Sequence, residues 1–199
     1  VIARKGAFSQ GKAVYMAHID AKPNTPGAID NASGIIVLLL LAELLADYQG
    51  DLGLEIIAIN GEDYYAASGE MDYLRTQSDT FPQILLAVNM DGAGYHKTDT
   101  AYSLYNPPEE VAQAVRQTFA SRQGMVEGDP WYQSDHSLFV QNQVPALAIT
   151  SQFFMQEAAL DITHTPKDHP RIVDPSKLIQ IASTLHDLHL RLNKLSPKT

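Results

Sequence analysis

Seven carboxylate and imidazole side chains of this chain have the types and spacing that metal binding and proton transfer require. Three apolar, β-rich segments, Ala13–Asp20 (AVYMAHID), Leu54–Asp63 (LEIIAINGED) and Ile84–Gly92 (ILLAVNMDG), run straight into His18, into Glu62 and Asp63, and into Asp91. Open α/β sheets bind their ligands in the crevice outside the carboxyl ends of the strands, so three segments each ending in a ligand-type residue point to one site. Asp20 follows His18 by two positions, on the same face of an extended chain. A metal-bound imidazole usually donates its second N–H to a carboxylate, and Asp20 is placed to receive it.

Further along, Asp30 sits in PGAIDNASG at the mouth of a helix beginning near Ala32, where small residues and glycine permit close backbone approach. His164 lies in Thr163–Asp168 (THTPKD), where Pro166 stiffens the turn and Asp168 is available to orient a neighbour. Ser134-Asp135-His136 precedes a short apolar helix. Each piece has a plain alternative. Asp30 reads as a helix cap, and Asn60-Gly61-Glu62-Asp63 and Asp91-Gly92 read as turns. Together they supply two imidazoles, three carboxylates and one surplus Glu. Two zinc-type cations about 3.5–4 Å apart need a bridging carboxylate, one His each and one further carboxylate each. The adjacent carboxylates of Glu62 and Asp63 repel unless cations compensate. One can then bind metal while the other handles a proton.

The elements that must position these groups alternate between strand and helix. Strands are expected at Val1–Arg4, Ala13–His18, Leu54–Asn60, Ile84–Met90, Ala101–Tyr105 and Pro145–Thr150. Helices are expected at Ala32–Tyr48, Ser68–Arg75, Pro107–Gln123, Ser134–Gln141 and Asp174–Asn193. The alternation predicts one α/β domain with a mixed, mostly parallel central sheet and helices on both faces. Leu54–Asn60 and Ile84–Met90 are read as apolar on both alternations, as strands covered on both faces should be. The last helix has Leu178, Ile181, Leu185 and Leu188 at helical spacing, with Asp174 before Pro175 as its cap.

Composition narrows the function classes. The 199 residues suffice for one core, and 45% are apolar, near the globular average. A net charge of −9 argues against a nucleic-acid or anionic-membrane partner, and bound cations would offset part of it. With no cysteine there are no disulfides, thiolate metal sites or cysteine nucleophiles. Ile35–Ala46, the densest apolar stretch, falls well short of the ~20 residues of a membrane helix. The chain opens on a strand-like segment with no leader pattern, and the compartment is left open.

The order of motifs, VIARKG, HID, GAIDNASG, NGED, NMDG, SDH and HTPKD, resembles the co-catalytic di-zinc aminopeptidases of metallopeptidase family twenty-eight. The resemblance spans nearly the whole chain. It implies a zinc-exopeptidase fold, of the phosphorylase/hydrolase-like kind, as one catalytic domain over residues 1–199 without the helical segment that usually precedes the first strand. It implies two zinc ions and a peptide substrate. His18 and Asp91 would bind one zinc, Asp63 and His164 the other, and Asp30 both. Glu62 would be the general base, Asp20 the partner of His18, and Asp30–Asn31 a cis peptide. Tyr132, near the SDH motif, is the candidate for stabilising the oxyanion, with simple packing as its alternative. His136 is expected to support the site through its loop. Tyr64, Tyr65, Phe153, Phe154 and Met155 are candidates for an apolar side-chain pocket or for the core. His186 and His189 are expected to pack or lie at the surface, and His96 and His169 to lie in polar loops. A glutaminyl-cyclase-like acyltransferase and a non-catalytic binding domain are the competing functions. A complete ligand set disfavours both.

Overall fold

A computed structural model describes residues 1–64, 67–154 and 159–195, with the backbone alone for 159 and 160. Seven strands form one mixed sheet: β1 (Ile2–Lys5), β2 (Lys12–His18), β3 (Gly53–Ile59), β4 (Ile84–Met90), β5 (Thr100–Tyr105), β6 (Met125–Glu127) and β7 (Ala146–Ser151). Their order across the sheet is β1-β3-β2-β4-β7-β5-β6. The central strands β3, β2, β4 and β7 are parallel, β1 pairs antiparallel with β3, and β5 pairs antiparallel with β7. The helices are α1 (Ser33–Leu44), α2 (Ser68–Gln77), α3 (Glu109–Ala120), α4 (His136–Gln141), α5 (Ala159–Ile162) and α6 (Pro175–Leu195).

The two faces of the sheet explain the strand composition. On β2, Ala13, Tyr15 and Ala17 enter a core with residues of α1, α3 and α6, while Val14 and Met16 enter a second core with Tyr73 of α2 and Leu138 and Phe139 of α4. A strand buried on both faces must be apolar at odd and even positions, and β2 is. One residue of β3 breaks that rule. Glu55 is fully buried and meets the Arg4 guanidinium at 2.6 Å, the Lys12 ammonium at 2.9 Å and the Tyr73 hydroxyl at 2.5 Å. The apolar reading of that strand is therefore corrected at Glu55, whose charge is balanced from β1 and β2 and hydrogen-bonded from α2.

The six expected strands and five expected helices all form, with ends moved by a few residues. Asp174 caps α6 as expected, accepting the Ser176 N–H at 2.9 Å. Two short elements lie where the sequence suggested only loop. β6 has three residues paired to β5, and α5 has four within the long segment after β7. Neither is long enough to show a period. No helix among the described residues is long and apolar enough to cross a membrane.

Candidate metal centre

The parallel order β3-β2-β4 sets three adjacent carboxyl ends side by side. His18 is the last residue of β2, Asp91 follows β4 directly, and Glu62 and Asp63 lie in the turn after β3. Asp30 arrives from a kinked turn over Ala28–Ala32, where Asp30 and Asn31 have non-helical backbone angles and the peptide bond between them is cis. His164 comes from the segment between α5 and α6.

These side chains converge. One oxygen of Asp30 is 3.1 Å from His18 Nε2, and its other oxygen is 3.1 Å from His164 Nε2. His18 Nε2 is also 3.7 Å from Asp91 and 3.9 Å from Glu62, and His164 Nε2 is 2.7 Å from Asp63. The contacts are close but not aligned as hydrogen bonds: His18 Nε2 and both oxygens of Asp63 are buried with no hydrogen-bond partner. Buried polar atoms without partners are costly. A cation between them would satisfy all of these lone pairs together. The groups His18–Asp30–Asp91 and Asp30–Asp63–His164 each offer ligand atoms within 4.8 Å of one another. Zinc bonds of 2.0–2.2 Å set tetrahedral ligands about 3.3 Å apart, so small side-chain adjustments, opening the 2.7 Å pair and closing the 3.7 Å one, meet that requirement. The donor set, imidazole and carboxylate with no thiolate, suits zinc.

Electrostatics agree. Burial raises the Glu62 carboxyl to about 7, and repulsion from Asp91, Asp30 and Asp63 adds to it against the pull of His18. For His18, burial works to lower the pKa, but the close Asp30 and Asp91 carboxylates push it up to about 12. The carboxylates thus draw positive charge into the cluster.

Surrounding groups hold the geometry. Asp168 is fully buried, and its carboxylate accepts the backbone N–H groups of Ile29 at 2.6 Å and Asp30 at 3.1 Å. The Asn31 amide donates to the Met90 carbonyl at 2.8 Å, tying the Asp30 turn to the strand that delivers Asp91. Gly34 is required there. A Cβ on it would lie 2.6 Å from Asn31 Oδ1, 2.7 Å from the Met90 carbonyl oxygen and 2.9 Å from Ala17 Cβ.

Asp20 does something other than expected. His18 Nδ1 meets the Asp20 main-chain carbonyl at 3.1 Å, and the carboxylate stands 3.8 Å away. That carboxylate instead accepts the N–H groups of Gly61 at 2.8 Å and Asp63 at 3.1 Å. It is therefore a clamp on the turn carrying Glu62 and Asp63, because two converging backbone N–H groups outcompete the single imidazole N–H. Asn31, Asn89 and Ser134 are further polar groups at the site to which the sequence reading assigned no side-chain role. As neutral side chains next to ligand-type residues, they carry no charge or spacing signal of their own.

A cavity of about 540 Å³ lies over β5, the end of β7 and the segment after β6. Phe153, Phe154, Trp131, Tyr132 and Thr150 are among its lining residues, and the Phe154 ring and Thr150 hydroxyl crowd Gly92, next to Asp91. Tyr132 stands 62% exposed on the cavity wall, its ring edge-on to Tyr105. Tyr64 is placed elsewhere, half exposed under the Lys22 ammonium. Tyr65 and Met155 lie outside the described residues. His189 packs between Tyr15 and Tyr48, and His186 pairs with Asp187. His96 stacks on Tyr95, and His169 accepts the Arg171 N–H at an exposed turn.

Sheet order and cluster together define an α/β domain with a carboxylate–imidazole centre at its parallel strand ends. The chain belongs to Peptidase family M28, whose profile matches residues 1–189. It is similar to Aminopeptidase YwaD of Bacillus subtilis (strain 168), with 30% identity over 92 residues, 45% of this chain and 20% of that protein. Its fold matches BSAP, a zinc aminopeptidase from Bacillus subtilis, with a TM-score of 0.82 at 21% identity over 99% of this chain and 51% of that one. The aminopeptidase from Aneurinibacillus sp. strain AM-1 matches with a TM-score of 0.76 at 21% identity over 94% of this chain and 46% of that one. The chain thus spans about half the length of these solved relatives, and the curated relative's alignment covers a fifth of that protein.

Proposed function

We propose that residues 1–199 form the catalytic domain of a zinc aminopeptidase that removes amino-terminal residues from peptides. The observation that carries this reading is the Asp30 carboxylate, with one oxygen facing His18 and the other facing His164, each at 3.1 Å. A carboxylate so shared between two imidazoles is the arrangement a two-metal centre needs. His18, Asp30 and Asp91 would hold one zinc, and Asp30, Asp63 and His164 the other. When bound, the two ions would polarise the scissile carbonyl and make a water nucleophilic at neutral pH.

The chain's own residues supply the rest. Glu62 adjoins a ligand yet is surplus to the ligand count, so its carboxylate accepts the proton of the attacking water and returns it to the leaving amine. Asp20 holds the backbone of Gly61 and Asp63, which fixes Glu62 between them. Asp168 fixes Asp30 by the same device. Tyr132, exposed on the cavity wall, is the candidate donor to the oxyanion. The cavity near Gly92 has room for a large first side chain, with Phe153 and Trp131 on its apolar surface and Phe154 packed into the core behind it. The carboxylate-rich cleft favours a substrate's ammonium end.

The test is a panel of Leu-, Ala-, Lys- and Glu-arylamides, free and N-acetylated, and a Gln-initiated peptide, incubated with zinc-loaded protein. Hydrolysis of the free-amine substrates, best with a large apolar first residue, and rejection of the acetylated ones is expected. Equal cleavage of acetylated substrates would sink the aminopeptidase reading. A pyroglutamyl product without hydrolysis would instead indicate a glutaminyl-cyclase-like enzyme.

A further inference from the structure

The segment between β6 and α4, residues 128–135, lines one wall of the cavity with residues 128–133, and it has little regular structure of its own. Two side chains from neighbouring elements consume both backbone polar groups of its Trp131. The Tyr105 hydroxyl, at the end of β5, accepts the Trp131 N–H at 2.8 Å and donates back to the Trp131 carbonyl. His136, the first residue of α4, places Nε2 2.7 Å from the same carbonyl. A carbonyl only accepts, so Nε2 carries the proton. Nδ1 then offers its lone pair to the Asn89 amide at 3.4 Å. The imidazole is fully buried, packed against the Trp131 ring at 4.7 Å and the Tyr105 ring at 4.8 Å. Asn89 also donates to Ser134 Oγ at 2.8 Å, which ties the far end of the loop to β4, two residues before Asp91. Ser134 is held there at φ 118°, a backbone region that disfavours residues other than glycine.

Trp131 packs in part against the core around Phe139, and that packing leaves its backbone N–H and carbonyl to be satisfied by these hydrogen bonds. Tyr132 and Gln133 are exposed, and Trp131 is half buried. The hydrogen bonds fix the place of a loop whose side chains face the cavity. His136 has no role as a ligand, since Nε2 is committed to a carbonyl and Nδ1 to Asn89. We propose that His136 is a positioning residue, which with Tyr105 clamps the Trp131 backbone and sets Trp131 and Tyr132 as the wall against which the substrate's first side chain is held. The positioning half of this inference rests on the aminopeptidase reading; the clamp itself does not.

Trp131 is the only tryptophan of the chain, so its fluorescence reports the clamp without any need for turnover. The zinc-loaded wild type is compared with His136→Leu, which loses the donor, His136→Gln, which keeps an N–H donor, and Tyr105→Phe, which loses the hydroxyl. His136→Leu and Tyr105→Phe should both red-shift Trp131 emission and increase its quenching by acrylamide. With Leu-arylamide, His136→Leu should raise KM by about 3- to 10-fold, the range of one lost hydrogen bond, with a smaller change in kcat. His136→Gln should return emission and KM towards wild type. Wild-type emission and quenching in folded His136→Leu would overturn the clamp. A red shift with unchanged KM would overturn the positioning role. Should His136→Leu fail to fold, Tyr105→Phe against His136→Gln decides the same question. If no arylamide is cleaved, the emission result still decides the clamp, and titration of Trp131 fluorescence with free L-leucine replaces KM. Equal leucine affinity in wild type and variant would then contradict positioning.

Discussion

Glu62 and Asp63 are neighbours in the chain with different environments and different work. Asp63 is buried and faces His164 at 2.7 Å, whereas Glu62 stands 3.9 Å from His18. Glu62→Gln should therefore keep zinc binding and lower kcat by roughly 10²–10⁴, the worth of a positioned general base. Steady-state kinetics with metal titration checks this, and loss of a metal would reassign Glu62 as a ligand. Asp20 serves the same turn from outside. Asp20→Asn retains an acceptor for only part of the Gly61 and Asp63 N–H pair, so zinc affinity should weaken by about 10–100-fold while the fold persists. Competition with a chromogenic chelator measures it. At this scale the ligand-type residues were legible in the sequence because charge and strand-end position mark them. The route of each hydrogen bond was not. Whether His18 turns to the Asp20 carboxylate or to its carbonyl depends on Gly61 and Asp63 arriving from another strand, which no local pattern records.

At the scale of elements, strands β2, β3 and β4 were legible because burial on both faces demands continuous apolar runs, and α6 because its apolar stripe and Asp174-Pro175 start are local signals. The three-residue β6 is fixed by its pairing with β5, and the four-residue α5 is too short to show a period. Glu55 was overlooked for a related reason, since its charge is balanced by Arg4 and Lys12, far away in sequence. Removing that carboxylate leaves the buried Lys12 ammonium without its ion-pair partner. Glu55→Ala should cost about 3–5 kcal/mol in urea unfolding. Helix α6 carries a second test. His189 is fully buried between Tyr15 and Tyr48, and desolvation, reinforced by nearby His186, lowers its pKa to about 4. A free imidazole titrates near 6.5, so the unfolded chain takes up the proton first as pH falls. The neutral His189 thus contributes its full stability above pH 6.5. That contribution declines between about 6.5 and 4, by an amount on the order of 3 kcal/mol. His189→Leu should flatten the pH dependence of chemical denaturation over that window, and an unaltered slope would show that other groups set it.

For the molecule as a whole, one sheet gathers side chains from residue 18 to residue 164 into a single carboxylate-rich centre, in a chain of net charge −9. Glu62, Asp30, Asp63 and Asp91 repel one another unless cations compensate, so zinc should stabilise the entire domain. Free zinc at 100 times its Kd would add about 2.7 kcal/mol for each site filled, and chelation should lower Tm accordingly. Zinc stoichiometry bears most directly on the shared Asp30 carboxylate. Protein stripped by chelator, equilibrated with saturating zinc and passed over a desalting column should carry two zinc ions per chain by elemental analysis, and Asp30→Ala should lose at least one of them. A firm value of one per chain in the wild-type protein would contradict the two-metal centre.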